Sequence, residues 1–154
     1  MNSDQIDIHF MKLAIAEAQK SLDTEDVPIG AVIVRNGEII AADHNRVEET
    51  GDSTAHAELL AIKKAIAVSD YKHLIDCTMY ITLEPCSMCS GAVVLARIPR
   101  LVIGADDPKA GASGSLYEIT SDPRLNHRCE ITRGVLQEEC SKMLKDFFKK
   151  LRNK

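Results

Sequence analysis

The sequence lacks the features that would assign it to a membrane, fibrous or disordered class of protein. Its 154 residues contain no run approaching the ~20 consecutive apolar residues that a membrane-spanning helix needs. No internal repeat or low-complexity linker is detectable. A composition of 45% hydrophobic and 27% charged residues excludes a disordered chain. We therefore expect one globular domain over residues 1–154, long enough to bury a core without disulfides.

An excess of positive charge is also lacking. The 19 Lys and Arg residues against 23 Asp and Glu give a net charge of −4, which argues against a broad nucleic-acid-binding surface. The charge is unevenly distributed, however. Residues 1–77 contain 7 basic and 14 acidic side chains, whereas residues 78–154 contain 12 basic and 9 acidic ones. The net charge therefore permits a local basic face near the C-terminus, although an ordinary lysine-rich helix end gives the same pattern.

A secretory leader is the third feature that the sequence lacks. The chain begins Met1-Asn2-Ser3-Asp4, without a basic stretch followed by an apolar one, and we expect a cytoplasmic protein. Cytosolic cysteines stay reduced. The five cysteines therefore indicate metal binding or catalysis rather than cross-links.

Hydrophobic periodicity predicts alternating strands and helices. Apolar residues at helical spacing predict a first helix over residues ~6–21. Two short apolar runs joined by Asn36-Gly37 predict an antiparallel hairpin, because Asn-Gly accepts the positive φ of a two-residue turn. Thr54 is the predicted cap of the next helix, whose two apolar faces predict cover on both sides.

The second half of the chain continues the alternation. Strands are predicted at residues 78–83 and 101–104, with a weaker one at 130–132. Pro85 opens a helix to about Ala96, and an apolar stripe predicts a last helix. These elements predict a three-layer α/β/α domain with a mixed five-stranded sheet and helices on both faces. Its edge hairpin is expected to be antiparallel and its later strands parallel.

Two short motifs contain the residues of greatest chemical interest. They are His56-Ala57-Glu58 and Pro85-Cys86-Ser87-Met88-Cys89. Together they offer one imidazole and two thiolates, a donor set that suits tetrahedral Zn²⁺. Cys86 and Cys89 are three residues apart and share a face of a helical turn, at a helix N-terminus that favours thiolates. Three protein ligands leave the fourth position for water, as in catalytic zinc sites.

Glu58 is the candidate proton carrier. It follows His56 by two residues, so both can address one site only if that site faces the N-terminal end of the helix. A free carboxylate beside an activated water can take its proton and deliver it to a leaving group. An acidic residue is also common in a first helical turn for structural reasons, which is the competing interpretation.

These motifs resemble the zinc-dependent cytidine deaminase-like superfamily. Further segments narrow the resemblance to the bacterial tRNA-specific adenosine deaminases, over about residues 8–151. A departure is Gly51-Asp52-Ser53, where that family often has Asp-Pro. The segments that carry the resemblance are Asp26-Val27-Pro28-Ile29-Gly30-Ala31-Val32, His44-Asn45-Arg46, Thr54-Ala55-His56-Ala57-Glu58, Thr82-Leu83-Glu84-Pro85-Cys86, Gly111-Ala112-Ser113-Gly114-Ser115-Leu116 and Leu125-Asn126-His127-Arg128.

The resemblance implies hydrolytic deamination of the wobble adenosine, A34, to inosine in a tRNA anticodon, usually of an arginine tRNA. It implies one Zn²⁺ per subunit, a homodimer, and a tRNA anticodon stem-loop as partner. By position, the metal ligands are His56, Cys86 and Cys89, and the catalytic residue is Glu58. The implied substrate-binding residues are Asn45, the backbone at Ala57, Ile29, Asp107 and Phe148.

Two other functions stay open at this point. A deaminase of a free base or nucleoside, such as guanine or cytosine, shares the zinc site but does not need a basic C-terminal helix. A non-catalytic, zinc-stabilised binding module would need a fourth protein ligand in place of water, such as Cys77, His44 or His73.

Overall fold

A five-stranded mixed sheet forms the centre of the molecule. The computed structural model describes all 154 residues. The strand order is β2-β1-β3-β4-β5. β1 pairs antiparallel with both β2 and β3, and β4 pairs parallel with both β3 and β5. This confirms the predicted sheet and its two kinds of pairing. The strands are β1 (Gly30–Arg35), β2 (Glu38–His44), β3 (Cys77–Leu83), β4 (Arg100–Ala105) and β5 (Glu130–Arg133).

Helices cover both faces of this sheet, as predicted. One core, of 17 buried residues, joins α3 and α4 to one face, and the other, of 9 buried residues, joins α1 and Cys140 of α5 to the opposite face. None of the helices is both long and apolar enough to span a lipid bilayer. The helices are α1 (Ser3–Gln19), α2 (Val47–Thr50), α3 (Ala57–Ser69), α4 (Ser87–Leu95) and α5 (Gln137–Arg152), with 3-10 turns at Lys20–Thr24 and Ile119–Ser121.

The β1–β2 hairpin forms as its turn residues predict. Asn36 and Gly37 have φ of 50° and 78°, the left-handed conformation that a tight two-residue turn requires. The hairpin brings the end of β2 beside the start of β1, where the Asn45 amide N–H donates to the Ile29 carbonyl at 3.0 Å. The turn therefore helps to place two of the predicted substrate-binding residues next to each other.

Three details differ from the prediction. Thr54 does not cap α3, because its hydroxyl is bonded to Asp52 and His56 itself occupies the capping position with extended backbone. The first helix begins earlier, at Ser3, because Asn2 and Gln5 form a reciprocal capping box. The apolar stripe of α5 is not fully covered either, since Cys140 is the one buried residue of that helix.

The second apolar face of α3 is also only partly covered. Leu59, Leu60 and Ile66 are half-buried, and Val68 is exposed. The sheet receives the alanine-rich face of the helix, which includes Ala57, Ala61 and Ala65. Ile62, on the same side as Leu59 and Ile66, is nevertheless buried, so the prediction of cover on both sides is confirmed in part.

Candidate metal and catalytic site

Two helix N-termini bring the predicted metal ligands together. His56 is the residue at the start of α3 and Cys86 the residue at the start of α4, both with extended backbone, while Cys89 lies in the first turn of α4. The His56 Nδ1 atom lies 3.5 Å from the Cys86 sulfur and 3.6 Å from the Cys89 sulfur. One donor atom from each residue lies within 4.8 Å of the other two.

The spacing of these donors matches a tetrahedral zinc site. Zinc bonds of about 2.3 Å to sulfur and about 2.0–2.1 Å to nitrogen, meeting at the tetrahedral angle, separate nitrogen from sulfur by about 3.6 Å. The observed separations of 3.5 and 3.6 Å agree with this value. Soft thiolates with an imidazole are also the donor set that zinc prefers over magnesium or calcium. The residues present therefore fit zinc in both distance and chemistry.

Electrostatics favour a thiolate in this cluster. The hydrogen bond from the Cys89 thiol is the largest cause that lowers the pKa of Cys86, to about 3, and the hydrogen bond with His56 lowers it further. The Cys86 contact in turn raises the pKa of His56. Both cysteines lie in the first turn of α4, where unpaired backbone N–H groups stabilise negative charge.

Glu58 lies beside the ligands but outside the three-donor cluster. It is only 4% exposed, and burial is the main cause that raises its pKa to about 7. Hydrogen bonds from its own backbone N–H and from the Cys89 thiol lower the pKa of Glu58, but by less than burial raises it. A carboxyl group with a pKa near neutrality can gain and lose a proton at physiological pH. Its position in the first turn of α3 places the site at the N-terminal end of that helix, where His56 can also reach it.

A cavity of about 130 Å³ adjoins this cluster. Its lining includes residues at the N-termini of α3 and α4, which we call the helix wall, and Asp107 and Ala110 of the segment 106–115, which we call the loop wall. Most of the predicted site residues line it, whereas Cys89 is fully buried beneath it and Phe148 lies elsewhere. The lining residues are Ile29, Asn45, His56, Ala57, Glu58, Leu83, Glu84, Cys86, Asp107 and Ala110.

Phe148 lies in an adjoining groove of about 720 Å³. The groove shares Leu83 and Asp107 with the cavity, so the two adjoin at these residues. Phe148 is 41% exposed, and the groove is also lined by the basic side chains of Lys109, Lys145 and Arg152. The basic C-terminal helix noted in the sequence therefore borders the groove next to the cavity.

Glu84 is the charged lining residue to which the sequence analysis assigned no role. It is 2% exposed and accepts hydrogen bonds from five donors. Burial raises the pKa of Glu84, but the bonds from Ser115, Asp107 and Ser113 outweigh it and hold the pKa below its usual value. The signal in the sequence is a carboxylate at the end of an apolar strand, immediately before Pro85.

None of the three alternative zinc ligands joins the cluster. The donor set contains His56, Cys86 and Cys89 alone. His44 is bonded to Glu17 at 3.1 Å, Cys77 lies against Asp76, and His73 is in the turn after α3. A closed structural zinc site, which the binding-module interpretation required, is therefore not formed by these residues.

Another groove lies away from the metal-ligand cluster. It has a volume of about 920 Å³ between α1 and α5, and no His or Cys is among its lining residues. Its charged rim is mixed, with Lys12, Lys142 and Lys150 beside Glu139 and Asp146. We assign the chemistry to the smaller cavity because the possible ligands and the buried carboxyl group lie there.

Comparison with known proteins decides the family. The model of the MafB19-like deaminases matches residues 4–152, which is almost the whole chain. The chain belongs to the MafB19-like deaminase family. This membership confirms the deaminase resemblance seen in the sequence.

Relatives of this deaminase extend over its full length. It is 49% identical to the tRNA-specific adenosine deaminase of Bacillus subtilis (strain 168), over 100% of this chain and 94% of the relative. It is also 49% identical to the tRNA-specific adenosine deaminase of Aquifex aeolicus (strain VF5), over 94% of this chain and 95% of the relative.

Solved structures agree with the fold. One solved structure comes from a study of A-to-I editing by tRNA:A34 deaminases at the wobble position of transfer RNA. It matches this deaminase with a TM-score of 0.84 and 42% sequence identity, and the match covers 88% of this deaminase and 99% of that chain. The structure of guanine deaminase from Bacillus subtilis matches with a TM-score of 0.63 and 32% identity, and the match covers 100% of this deaminase and 96% of that chain. The predicted cytidine deaminase-like α/β fold is confirmed.

Proposed function

We propose that the protein is a tRNA-specific adenosine deaminase that hydrolyses the wobble adenosine-34 of an anticodon to inosine. The observation that carries this proposal is that the small cavity adjoins the groove that contains Phe148 and three basic side chains. A free base would occupy the cavity alone, whereas a base within RNA needs an adjoining surface for its neighbours. The names of the two full-length relatives support the same substrate.

Zinc is the cofactor that we propose, one ion per subunit, held by His56, Cys86 and Cys89. When bound in such a site, zinc lowers the pKa of a coordinated water from 15.7 to about 7, so that hydroxide is available at neutral pH. The remaining chemistry falls to the side chains of the cavity.

Glu58 moves the proton in this mechanism. Its carboxylate takes one proton of the attacking water and passes it to a ring nitrogen of adenine. It then takes the second proton, from the hydroxyl now on C6, and passes it to the amino group, so that the C6–N bond breaks and ammonia leaves. Its burial in the cavity excludes bulk water, which would otherwise exchange that proton.

Asn45, Ala57 and Ile29 are proposed to bind the flipped base. The Asn45 side chain donates to the Val27 carbonyl at 3.1 Å and accepts from the Val47 N–H at 3.3 Å, and these two bonds fix its orientation. One amide proton and one lone pair remain for the edge of the base. Ile29 contributes an apolar contact, and the backbone at Ala57 approaches from the start of α3.

Asp107 and Phe148 are proposed to contact the rest of the anticodon. One oxygen of the Asp107 carboxylate accepts from the backbone N–H groups of Lys109 and Ala110, which leaves the other for a ribose 2′-hydroxyl. The half-exposed ring of Phe148 offers a surface on which a neighbouring base can stack.

We also propose a homodimer that buries the outer surface of α4. Leu95 is 77% exposed, and Leu116 and Tyr117 are 54% and 61% exposed in the segment that precedes the second 3-10 turn. That turn packs against α4, so the three side chains belong to neighbouring elements. Apolar side chains grouped at this level of exposure are typical of an interface between subunits. A monomeric mass in solution would contradict this proposal.

The decisive experiment compares substrates. The purified protein is incubated with an arginine-tRNA anticodon stem-loop that contains A34, and separately with free guanine and cytidine. We expect inosine in the stem-loop with release of ammonia, and no turnover of the free compounds. Turnover of guanine without inosine in the RNA would instead favour a free-base deaminase, the activity named for the Bacillus subtilis structure.

A further inference from the structure

Glu84 connects the loop wall to the end of β3. Its carboxylate accepts from the backbone N–H groups of Asp107 at 3.0 Å, Ser113 at 3.1 Å and Ser115 at 3.0 Å, and also from the Ser115 hydroxyl. The fifth donor is the Arg133 guanidinium at 3.0 Å, from β5. Elements far apart in sequence therefore meet at one buried carboxylate.

Arg133 fixes the same loop from the outside. Its guanidinium bonds the Asp106 carboxylate at 2.7 Å and the Ser113 carbonyl, in addition to Glu84. The backbone also passes close to the carboxylate at Gly111, where an added Cβ would lie 2.5 Å from Glu84 Oε2 and 2.5 Å from the Asp107 carbonyl oxygen. We call Glu84, Arg133 and the loop groups that they bind the Glu84 network.

The hydrogen bonds leave Glu84 no capacity for chemistry. A carboxylate has about four lone-pair sites, and five donors already converge on this one. Taking a proton or binding the substrate would require Glu84 to release a part of the loop. Although it lines the cavity, the residue is therefore suited to holding a structure in place.

We infer that Glu84 is the positioning residue for substrate recognition, and that it acts by fixing the path of residues 106–115 and so the place of Asp107 beside the cavity. This inference rests on the proposed tRNA deaminase function for its kinetic consequence, but its structural part can be tested independently. Loss of the network moves Asp107 away from the RNA backbone while His56, Cys86, Cys89 and Glu58 stay in place.

Glu84→Gln is the direct test, carried out on the zinc-loaded protein. The substitution keeps the shape but turns an NH₂ group toward N–H donors, which then lack an acceptor. We expect amide hydrogen exchange at residues 107, 113 and 115 to accelerate by at least about tenfold, since hydrogen bonds to a charged group are lost. The zinc content should stay at one per chain.

Kinetics with the stem-loop separate positioning from general damage. We expect KM to rise by about tenfold and kcat to change by less than about threefold, because binding contacts rather than the reacting groups are disturbed. Asp107→Asn should raise KM similarly. The KM of the double variant should be about that of whichever single variant has the higher KM, since both changes remove the same contact.

Matched variants guard against a trivial loss of folding. Ser115→Ala removes a single donor and should produce the same exchange pattern in weaker form. Arg124→Met breaks another arginine–carboxylate pair in the same connection, with Asp122 at 2.7 Å, but one that is exposed and remote from the cavity. It should leave exchange at residues 107, 113 and 115 and the KM unchanged.

The outcomes distinguish the two proposals. Unchanged exchange at these three amides in Glu84→Gln, or KM effects of Glu84→Gln and Asp107→Asn that multiply, would overturn the positioning role. Absence of inosine with the unaltered protein would overturn the proposed function instead, and the exchange measurement would still decide whether Glu84 fixes the loop.

Discussion

One buried glutamate lies in the helix wall of the cavity and another lies against the loop wall, and their pKa values are shifted in opposite directions. Glu58 on the helix wall is 4% exposed, and burial raises its pKa to about 7. Glu84, against the loop wall, is 2% exposed, yet its pKa is held below the usual value. Solvent exposure is therefore nearly the same, and hydrogen-bond donors around Glu84 are what lower its pKa.

This difference shows how one cavity can contain both a carboxyl group suited to proton transfer and a carboxylate that holds the surrounding loop in place. A carboxylate without strong donors exchanges its proton readily, which suits a catalytic role. A carboxylate that accepts five hydrogen bonds stays ionised and holds its neighbours in place. Changes on the helix wall should hence alter the rate, and changes on the loop wall should alter stability and binding.

Removal of the metal gives the largest expected effect. Treatment with a strong chelator should abolish deamination, because the residues of the helix wall then have no activated water on which to act. Activity and zinc content are measured before and after dialysis. Zn²⁺ should restore both, whereas Mg²⁺ should not, since the donors are thiolates and an imidazole. Full activity in zinc-free protein would contradict the assignment of the helix wall.

Glu58→Gln comes next in size. It removes the proton carrier without removing a ligand, and kcat should fall by about 10²–10⁴-fold while zinc content is retained. Single-turnover assays of inosine formation with metal analysis provide the measurement. Glu138→Gln, the same substitution in the first turn of α5, is the matched control and should be silent. A normal kcat in the Glu58→Gln protein would show that Glu58 is not the proton carrier.

Gly111→Ala disturbs the loop wall without altering either carboxylate. The new methyl group would press on Glu84 and on the Asp107 carbonyl, and overpacking of this kind costs about 1–3 kcal/mol of unfolding free energy. Chemical denaturation measures the loss. Gly91→Ala in α4 meets nothing within 4 Å in one copy of the chain, so at protein concentrations low enough to keep the chain monomeric it should leave stability equal or slightly higher. Equal stabilities for the two variants would show that the loop is free to move away from Glu84.

Phe148→Ala should have the smallest effect. Loss of base stacking is worth about 1 kcal/mol or somewhat more, so KM for the stem-loop should rise by about fivefold to tenfold with kcat unchanged. Tyr71→Ala removes an aromatic ring of comparable exposure, 52%, from a distant surface and serves as the control. A fall in kcat instead of a rise in KM would connect Phe148 with the chemistry of the helix wall.

The local parts of this structure were predictable from the sequence. Short motifs determine three of these parts: the Asn36-Gly37 turn, the antiparallel pairing of the hairpin strands, and the proximity of His56 to the two cysteines. Such motifs determine backbone conformation over a few residues. The resemblance to a known family indicated that His56, Cys86 and Cys89 belong to one site. The cap of α3 was misassigned to Thr54 because a local Asp52 contact competed for its hydroxyl.

Glu84 shows where prediction from one sequence stops. Its donors lie 23, 29, 31 and 49 residues farther along the chain, and no spacing rule relates them to it. The exposed stripe of α5 is a similar case, because helical periodicity identifies an apolar face but not what covers it. Contacts between remote segments decide both features.

Three of the five groups that bind Glu84 are backbone amides, and this has a consequence for how such an enzyme can change over evolutionary time. Every residue except proline carries a backbone N–H, so substitutions at Asp107 or Ser113 leave these bonds available. Mutation can then sample new side chains beside the substrate while the path of the loop is inherited unchanged. Libraries that randomise residues 107–110, with Gly111 and Glu84 kept, should therefore yield folded proteins at high frequency.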